Sequence, residues 1–217
     1  MRTLIVSGGR IDQDFALSLY KNAVFNNVIG VDGGLGFLYD CRITPTHIVG
    51  DFDSARPGLE EYYQGKSGIE LRRFNPVKDS TDTQIAIELA LELKSTSIVI
   101  LGGTGSRLDH VLGNIQSMML AKTAGVDCCM VDEHNRIHLI AEDTVLKREE
   151  QYGSFVSLIP LTTIVDGVDL IGFKYPLHNH TFTSTGSAGL GVSNEIVEER
   201  ARIHIKSGVF ILIESRD

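Results

Sequence analysis

The amino-acid sequence predicts an α/β protein: an N-terminal parallel-sheet α/β domain over residues 1–135, followed by a small all-β sandwich domain over 136–217. Three observations carry this expectation. Up to about Glu133, short β-branched runs alternate with amphipathic stretches of helical period. Beyond Asn135 the period falls to two and no helix-length pattern remains. Glycine or aspartate follows almost every expected strand of the first part, which is more than tight turns alone require.

In chain order the first part reads as strand TLIVS, helix DFALSLYKNA, strands VIGVD and THIVGD, helix TQIAIELALELK, strand SIVILGG, helix VLGNIQSMMLAKTAG and strand VDCCMVD. Unbroken apolar runs of this kind suit strands buried on both faces of a parallel sheet. The second part reads as strands RIHLIAE, SFVSLIPL, VDLIGF, ARIHIK and VFILIE, separated by Gly, Asn and polar turns. Parallel sheets bind ligands beyond the carboxyl ends of their strands, so SGG, DGG, GDFDS and GGTGSRLDH are the segments where function is expected.

Composition narrows the function. At 217 residues, 42% hydrophobic, the chain can build a sizeable core. A net charge of -8 argues against duplex nucleic acid as a partner, which demands a basic footprint. Polyphosphate stays within reach where a metal ion and a few Arg or Lys residues reverse the local field. Three cysteines without a CxxC pair suggest no disulfide framework; Cys128 and Cys129 read as small buried hydrophobes. The start MRTLIVSGGR reads as a strand and a glycine turn, not a secretion signal, and no twenty-residue apolar span occurs. The expected location is the cytoplasm, with no membrane partner.

In HIVGDFDS the strand ends at Gly50 and places Asp51 and Asp53 at i and i+2, on one side of an extended backbone. Two converging carboxylates with no basic neighbour before Arg56 are best explained by a hard divalent cation such as Mg²⁺; the alternative is a solvated turn capping a helix. In VKDSTDTQIAIELALELK, Asp79 and Asp82 stand where a long helix begins. They are either N-terminal caps or further metal ligands, with Lys78 beside them to hold a phosphate oxygen.

The segment SIVILGGTGSRLDHVLGNI leads from a buried strand through Gly102, Gly103 and Gly105 into a helix, with Arg107, Asp109 and His110 at its opening. Such a turn lets backbone amides approach phosphate, and Arg107 offers a planar fork. No GK[ST] follows, so it is not a P-loop, and Leu108 occupies the place of a third dinucleotide-binding glycine. Gly8-Gly9 and Gly33-Gly34 form lesser glycine turns at other strand ends. In the second part, TSTGSAGLGVSNEI reads as a hairpin connection or as a ligand loop ending in Ser193 and Asn194. His178 and His180 share one side of an extended segment and, lacking a third ligand, read as surface polar residues.

With DGG at 32–34, GDFDS at 50–54, KDSTD at 78–82, GGTGSRLDH at 102–110 and GVSNE at 191–195 occurring in that order, the chain resembles the thiamine pyrophosphokinase family over nearly its whole length. The resemblance implies that residues 1–135 bind ATP and Mg²⁺ and that 136–217 bind thiamine. It also implies a homodimer whose active sites are shared between subunits. Carried onto this sequence, it makes Asp51, Asp53, Asp79 and Asp82 the metal-binding and catalytic acids with Arg107. Gly33, Gly34, Lys78, Gly103, Arg107, Asp109 and His110 then surround the nucleotide, and Ser193 and Asn194 meet thiamine. The chain has no tryptophan, so an aromatic partner for thiamine is Phe, Tyr or none.

The implied reaction is transfer of pyrophosphate from ATP to thiamine, giving thiamine diphosphate and AMP, with Asp79 and Asp82 as candidates for a general base. Two alternatives remain at this point: a pyrophosphokinase for another hydroxymethyl heteroaromatic such as a pterin, and a non-catalytic thiamine or nucleotide sensor.

Overall fold

The computed structural model describes residues 1–50, 56–73, 80–187 and 189–217. The chain divides into two compact units, Met1–Glu133 and His134–Asp217.

Among the described residues of the first unit, six parallel strands are β1 (Arg2–Val6), β2 (Asn27–Val31), β3 (His47–Gly50), β4 (Glu70–Arg73), β5 (Ser97–Leu101) and β6 (Asp127–Val131). Their spatial order is β4-β3-β2-β1-β5-β6. Among the described residues five helices lie between them in sequence: α1 (Gln13–Lys21), α2 (Gly34–Asp40), α3 (Leu59–Gln64), α4 (Asp82–Glu92) and α5 (Leu108–Thr123). The apolar runs become central strands because both faces are covered: all five residues of β2 and all four of β3 are buried. After β1 the sheet grows in one direction, to β2, and after β5 in the other, to β6, so the order reverses between β1 and β5. A crevice opens at such a switch point.

Three elements escape the sequence pattern for physical reasons. Strand β4, ELRR, lies at the edge of its sheet and carries charge in place of β-branched residues. Helix α2 contains Gly34 and Gly36, poor helix formers, and α3 has only six residues. On β3, His47 is buried and hydrogen-bonded through Nδ1 to Thr46 Oγ1 at 2.8 Å. Its desolvation lowers the imidazole pKa, outweighing the exposed Glu70 carboxylate 3.6 Å away.

The second unit is a sandwich of two antiparallel layers. One holds β7 (Asn135–Ile140), β13 (Phe210–Ser215) and β9 (Phe155–Pro160), with β13 in the middle. The other runs β11 (Leu177–Thr183), β10 (Ile164–Ile171), β12 (Arg200–His204), β8 (Thr144–Lys147). Val156, Leu158, Phe210 and Leu212 from the first layer meet Val165, Val168, Phe182 and Ile203 from the second, and the rings of Phe182 and Phe210 pack edge to face at 5.0 Å. The sequence pattern omits β8 and β11, which are short or polar.

Candidate active site

The crevice at the switch point is a cleft of about 530 Å³, in the range of small-ligand sites. Its walls are the turns that leave β1, β2 and β5 together with the starts of α4 and α5.

Two glycines allow these turns to meet. Gly9 donates its N–H to Gly102 O at 2.9 Å, and Arg10 donates to Thr104 O at 3.1 Å, so the turns after β1 and β5 are bonded to each other. A Cβ on Gly9 would collide with the Thr104 and Gly102 carbonyls, and one on Gly34 would collide with the Val6 carbonyl. Two side-chain bonds complete the frame. Ser7 and Thr83 share a buried hydroxyl contact of 2.9 Å that joins the end of β1 to the start of α4. Asn114, buried on α5, donates Nδ2 to Gly103 O at 2.8 Å and pins the glycine turn to its own helix.

The beginning of α4 separates capping from function. Thr81 is the N-cap, accepting from Gln84 N–H at 3.2 Å, so Asp82 is not needed as a cap and lines the cleft from the first helical position. Asp32, at the turn after β2, also lines the cleft, in a left-handed conformation, φ 40°. At the mouth of α5, Arg107 forks Asp109 through Nε at 3.2 Å and Nη2 at 2.6 Å. That guanidinium holds the Asp109 carboxyl down at about 2.

Of the residues singled out in the sequence, the structure brings Asp82, Gly103, Arg107 and His110 to this one cleft. Gly33 and Gly34 line an adjoining cavity of about 300 Å³ that shares Ser7 and Gly9 with it, and Asp109 is joined to it through Arg107. Asp51, Asp53, Lys78 and Asp79 lie outside the described residues. Sequence reasoning marked the DGG segment but gave Asp32 no role of its own, and it missed Arg10, Thr83 and Asn114. Arg10 and Asp32 directly adjoin the glycine pairs Gly8-Gly9 and Gly33-Gly34, which was the available signal; Thr83 and Asn114 look like ordinary helix residues.

In the second unit, Ser193 is exposed with φ 57°, and Asn194 is buried. The Asn194 side chain is committed to the backbone: Oδ1 accepts from Tyr175 N–H at 3.0 Å and Glu195 N–H at 2.9 Å, and Nδ2 donates to Tyr175 O at 2.9 Å. Its main chain pairs with Val156 in both directions, at 2.8 and 3.0 Å. Asn194 thereby fixes the backbone of Tyr175, whose ring is exposed, beside Ser193. His178 pairs with Asp169 at 2.7 Å and the His180 ring packs on Phe182. Among the described residues no three His, Cys, Asp or Glu converge as metal ligands, and no helix is long and apolar enough to cross a membrane.

The family model of the thiamin pyrophosphokinase catalytic domain matches residues 17–130, and that of the vitamin B1 binding domain matches residues 143–210. A thiamine pyrophosphokinase of Bacillus subtilis (strain 168) is 34% identical over 189 residues, 87% of each chain. The crystal structure of thiamine pyrophosphokinase from Bacillus subtilis superposes with a TM-score of 0.86 at 30% identity and covers all of both chains. That of thiamin pyrophosphokinase from Geobacillus thermodenitrificans gives 0.83 at 28%, covering 100% of this chain and 98% of the other. Sequence and fold agree along both units, and the chain belongs to the thiamine pyrophosphokinase family.

Proposed function

We propose that this ATP-dependent diphosphotransferase moves the terminal pyrophosphate of ATP onto the hydroxyl of thiamine, giving thiamine diphosphate and AMP. The observation that carries the reading is the cleft at the β1/β5 switch point, where glycine turns, Arg10, Arg107 and Asp82 converge, in a chain whose second unit matches a vitamin B1 binding domain.

The thiamine oxygen bonds to the β-phosphorus in line with the bridge to the α-phosphate; that bridge breaks, and AMP leaves with the bridging oxygen. Such displacements need positioning and charge neutralisation more than covalent help from the protein. The interlocked turns after β1 and β5 shape the floor on which the phosphates lie. Arg10 and Arg107 stand at the cleft as cations, balanced at rest by Glu133 at 3.1 Å and by Asp109. Of the two candidates for the hydroxyl proton, Asp82 lines the cleft and Asp79 lies outside the described residues.

The carboxylates of Asp32 and Asp82 and the hydroxyls of the cleft are hard oxygen donors, a set that fits Mg²⁺. Asp82 would hold the ion with Asp51, Asp53 and Asp79, and the ion would supply neutralisation of the phosphate oxygens. Lys78 supports the phosphates. On the second unit, the exposed ring of Tyr175, whose backbone Asn194 holds, offers a π face to the cationic thiazolium, and Ser193 offers a hydroxyl to the pyrimidine. The second unit carries none of the acidic motifs, which supports a homodimer in which the two half-sites come from different subunits. The enzyme works in the cytoplasm, where ATP and reduced cysteines are maintained.

The test is an acceptor panel with ATP and Mg²⁺, followed by chromatography of nucleotides and products. Thiamine is expected to release AMP and thiamine diphosphate in equal amounts, and a hydroxymethyl pterin to release neither. Turnover with the pterin and not with thiamine favours the alternative acceptor, and binding of thiamine without AMP favours a sensor.

A further inference from the structure

Helix α2 begins at the glycine turn beside the cleft and ends at Asp40. At that far end a second cavity of about 560 Å³ opens between α2, the loop that enters β3, and α3, and no described residue lines both it and the cleft. Its size suits a ligand no larger than a nucleotide. Three of the chain's six tyrosines meet there: Tyr39 and Tyr62 pack edge to face at 4.9 Å, and Tyr62 and Tyr63 at 5.1 Å. Tyr39 and Tyr62 each keep 42% of their surface exposed, so ring area is open to a ligand. Tyr63 is 1% exposed, and its phenol has no hydrogen-bond partner among the described residues. Burial pushes that phenol up to about 12, which keeps it a proton donor at neutral pH. A buried donor of this kind is normally satisfied, and a ligand oxygen in the cavity would satisfy it.

The charge of the cavity runs against that of the chain. Arg42 and Lys66 line it, and among the described residues neither pairs with a carboxylate; Lys66 Nζ stands 4.2 Å from the centre of the Tyr62 ring. Asp40, the acid among the described lining residues, is already neutralised by Arg56 through two bonds of 2.8 Å. Two uncompensated cations in one cavity stand out in a chain of net charge -8. Arg42 also occupies a position that favours glycine. Ile43 donates its N–H to Leu38 O at 2.9 Å and Arg42 to Tyr39 O at 3.1 Å, closing α2 with Arg42 in the left-handed conformation, φ 56°. An arginine kept there places a guanidinium at the cavity at a cost in backbone energy.

We infer that this cavity is a second binding site, for a phosphate ester that carries a planar aromatic ring, with Arg42 and Lys66 at the phosphate and the tyrosines at the ring. An uncharged aromatic would leave both cations unpaired, and bare phosphate would leave the ring surface of Tyr39 and Tyr62 unused. The Tyr63 phenol adds a donor to an ester oxygen. AMP and thiamine diphosphate, the two products of the proposed reaction, share this chemistry. The site itself stands on its own residues and holds whichever acceptor the enzyme uses.

The test incorporates 3-fluorotyrosine into the full chain and follows its fluorine resonances during titration with AMP, thiamine diphosphate or inorganic phosphate. Tyr39→Phe, Tyr62→Phe and Tyr63→Phe assign the three signals of the cavity. One or both esters are expected to move these three saturably while Tyr20, on α1, stays in place, and the ester that does so identifies the source. Arg42→Gly and Lys66→Gln should each raise the Kd by at least about fivefold, and inorganic phosphate should bind at least about tenfold more weakly than the better ester. Melting of both variants should stay within about 2 °C of the wild type, since glycine suits the left-handed position and Lys66 has no ion pair to lose. Arg107→Ala, which damages the cleft, should keep the response. Three unmoved signals with either ester up to about 10 mM, or a Kd unchanged in both charge variants, overturn the inference. So does a response lost in Arg107→Ala, which places it in the cleft, or phosphate binding as tight as that of the esters. Should Arg42→Gly fail to fold, the comparison is read on Lys66→Gln.

Discussion

Replacing Asp82 by Asn is expected to lower kcat by at least about 100-fold, the scale seen when one preorganised electrostatic contact to a transition state is removed. The folded state should be almost untouched. Thr81, not Asp82, caps α4, and the hydroxyl pair of Ser7 and Thr83 holds the helix start to β1 whichever residue stands at position 82. Asparagine has nearly the same volume but lacks the charge that a cation or a leaving proton needs. Steady-state kinetics at saturating Mg²⁺, with calorimetric melting of the same preparations, checks the expectation. Near-normal turnover would remove Asp82 from the chemistry, and a large drop in melting temperature would make it a structural residue.

Replacing Asn194 by Ala is expected to act mainly on stability, with loss of thiamine use as its consequence. The amide satisfies the N–H groups of Tyr175 and Glu195 and the carbonyl of Tyr175, and alanine satisfies none of them. Part-buried backbone groups left without partners cost about 1–3 kcal/mol each, partly relieved by water. A net loss of about 2–3 kcal/mol, or about 10–20 °C in the melting of a unit this size, should follow. The loss should be accompanied by a raised thiamine KM, as Tyr175 and Ser193 lose their fixed positions. Ser193→Ala is the control: its side chain is exposed, so melting should hold while thiamine KM rises. An Asn194→Ala protein that melts like the wild type would show that the amide is dispensable to the fold.

Much of the architecture is legible in the sequence because burial on both faces of a parallel sheet leaves an unbroken apolar signature, as in VIGV and SIVIL. Edge and short elements leave none: ELRR of β4 is charged, and LHNHTFT of β11 alternates weakly under a bulged register with β10. The cleft was legible where its chemistry is local. Glycines at strand ends and acids at a helix start declare themselves by spacing, and Asp82 and Arg107 were found that way.

What could not be read depends on contacts between distant segments. Arg10 reaches the cleft only because Gly9 lets its turn bond to the one after β5, more than ninety residues away in sequence. Nothing local in SNE reveals that the Asn194 amide is occupied by Tyr175, nineteen residues earlier. Asp40 at the end of α2 and Arg56 ahead of α3 stand in none of the motifs and pair through two 2.8 Å bonds only once the chain has folded.

The central chemical proposal is that the thiamine hydroxyl attacks the β-phosphorus of ATP, and positional labelling tests it most directly. ATP carrying ³²P only at the β-phosphorus is incubated with the enzyme, Mg²⁺ and thiamine, and the products are separated. All transferred label is expected in thiamine diphosphate, at the phosphate joined to the hydroxyethyl oxygen, with unlabelled AMP released in equal amount. Label retained in ADP, with thiamine monophosphate as the product, would contradict it.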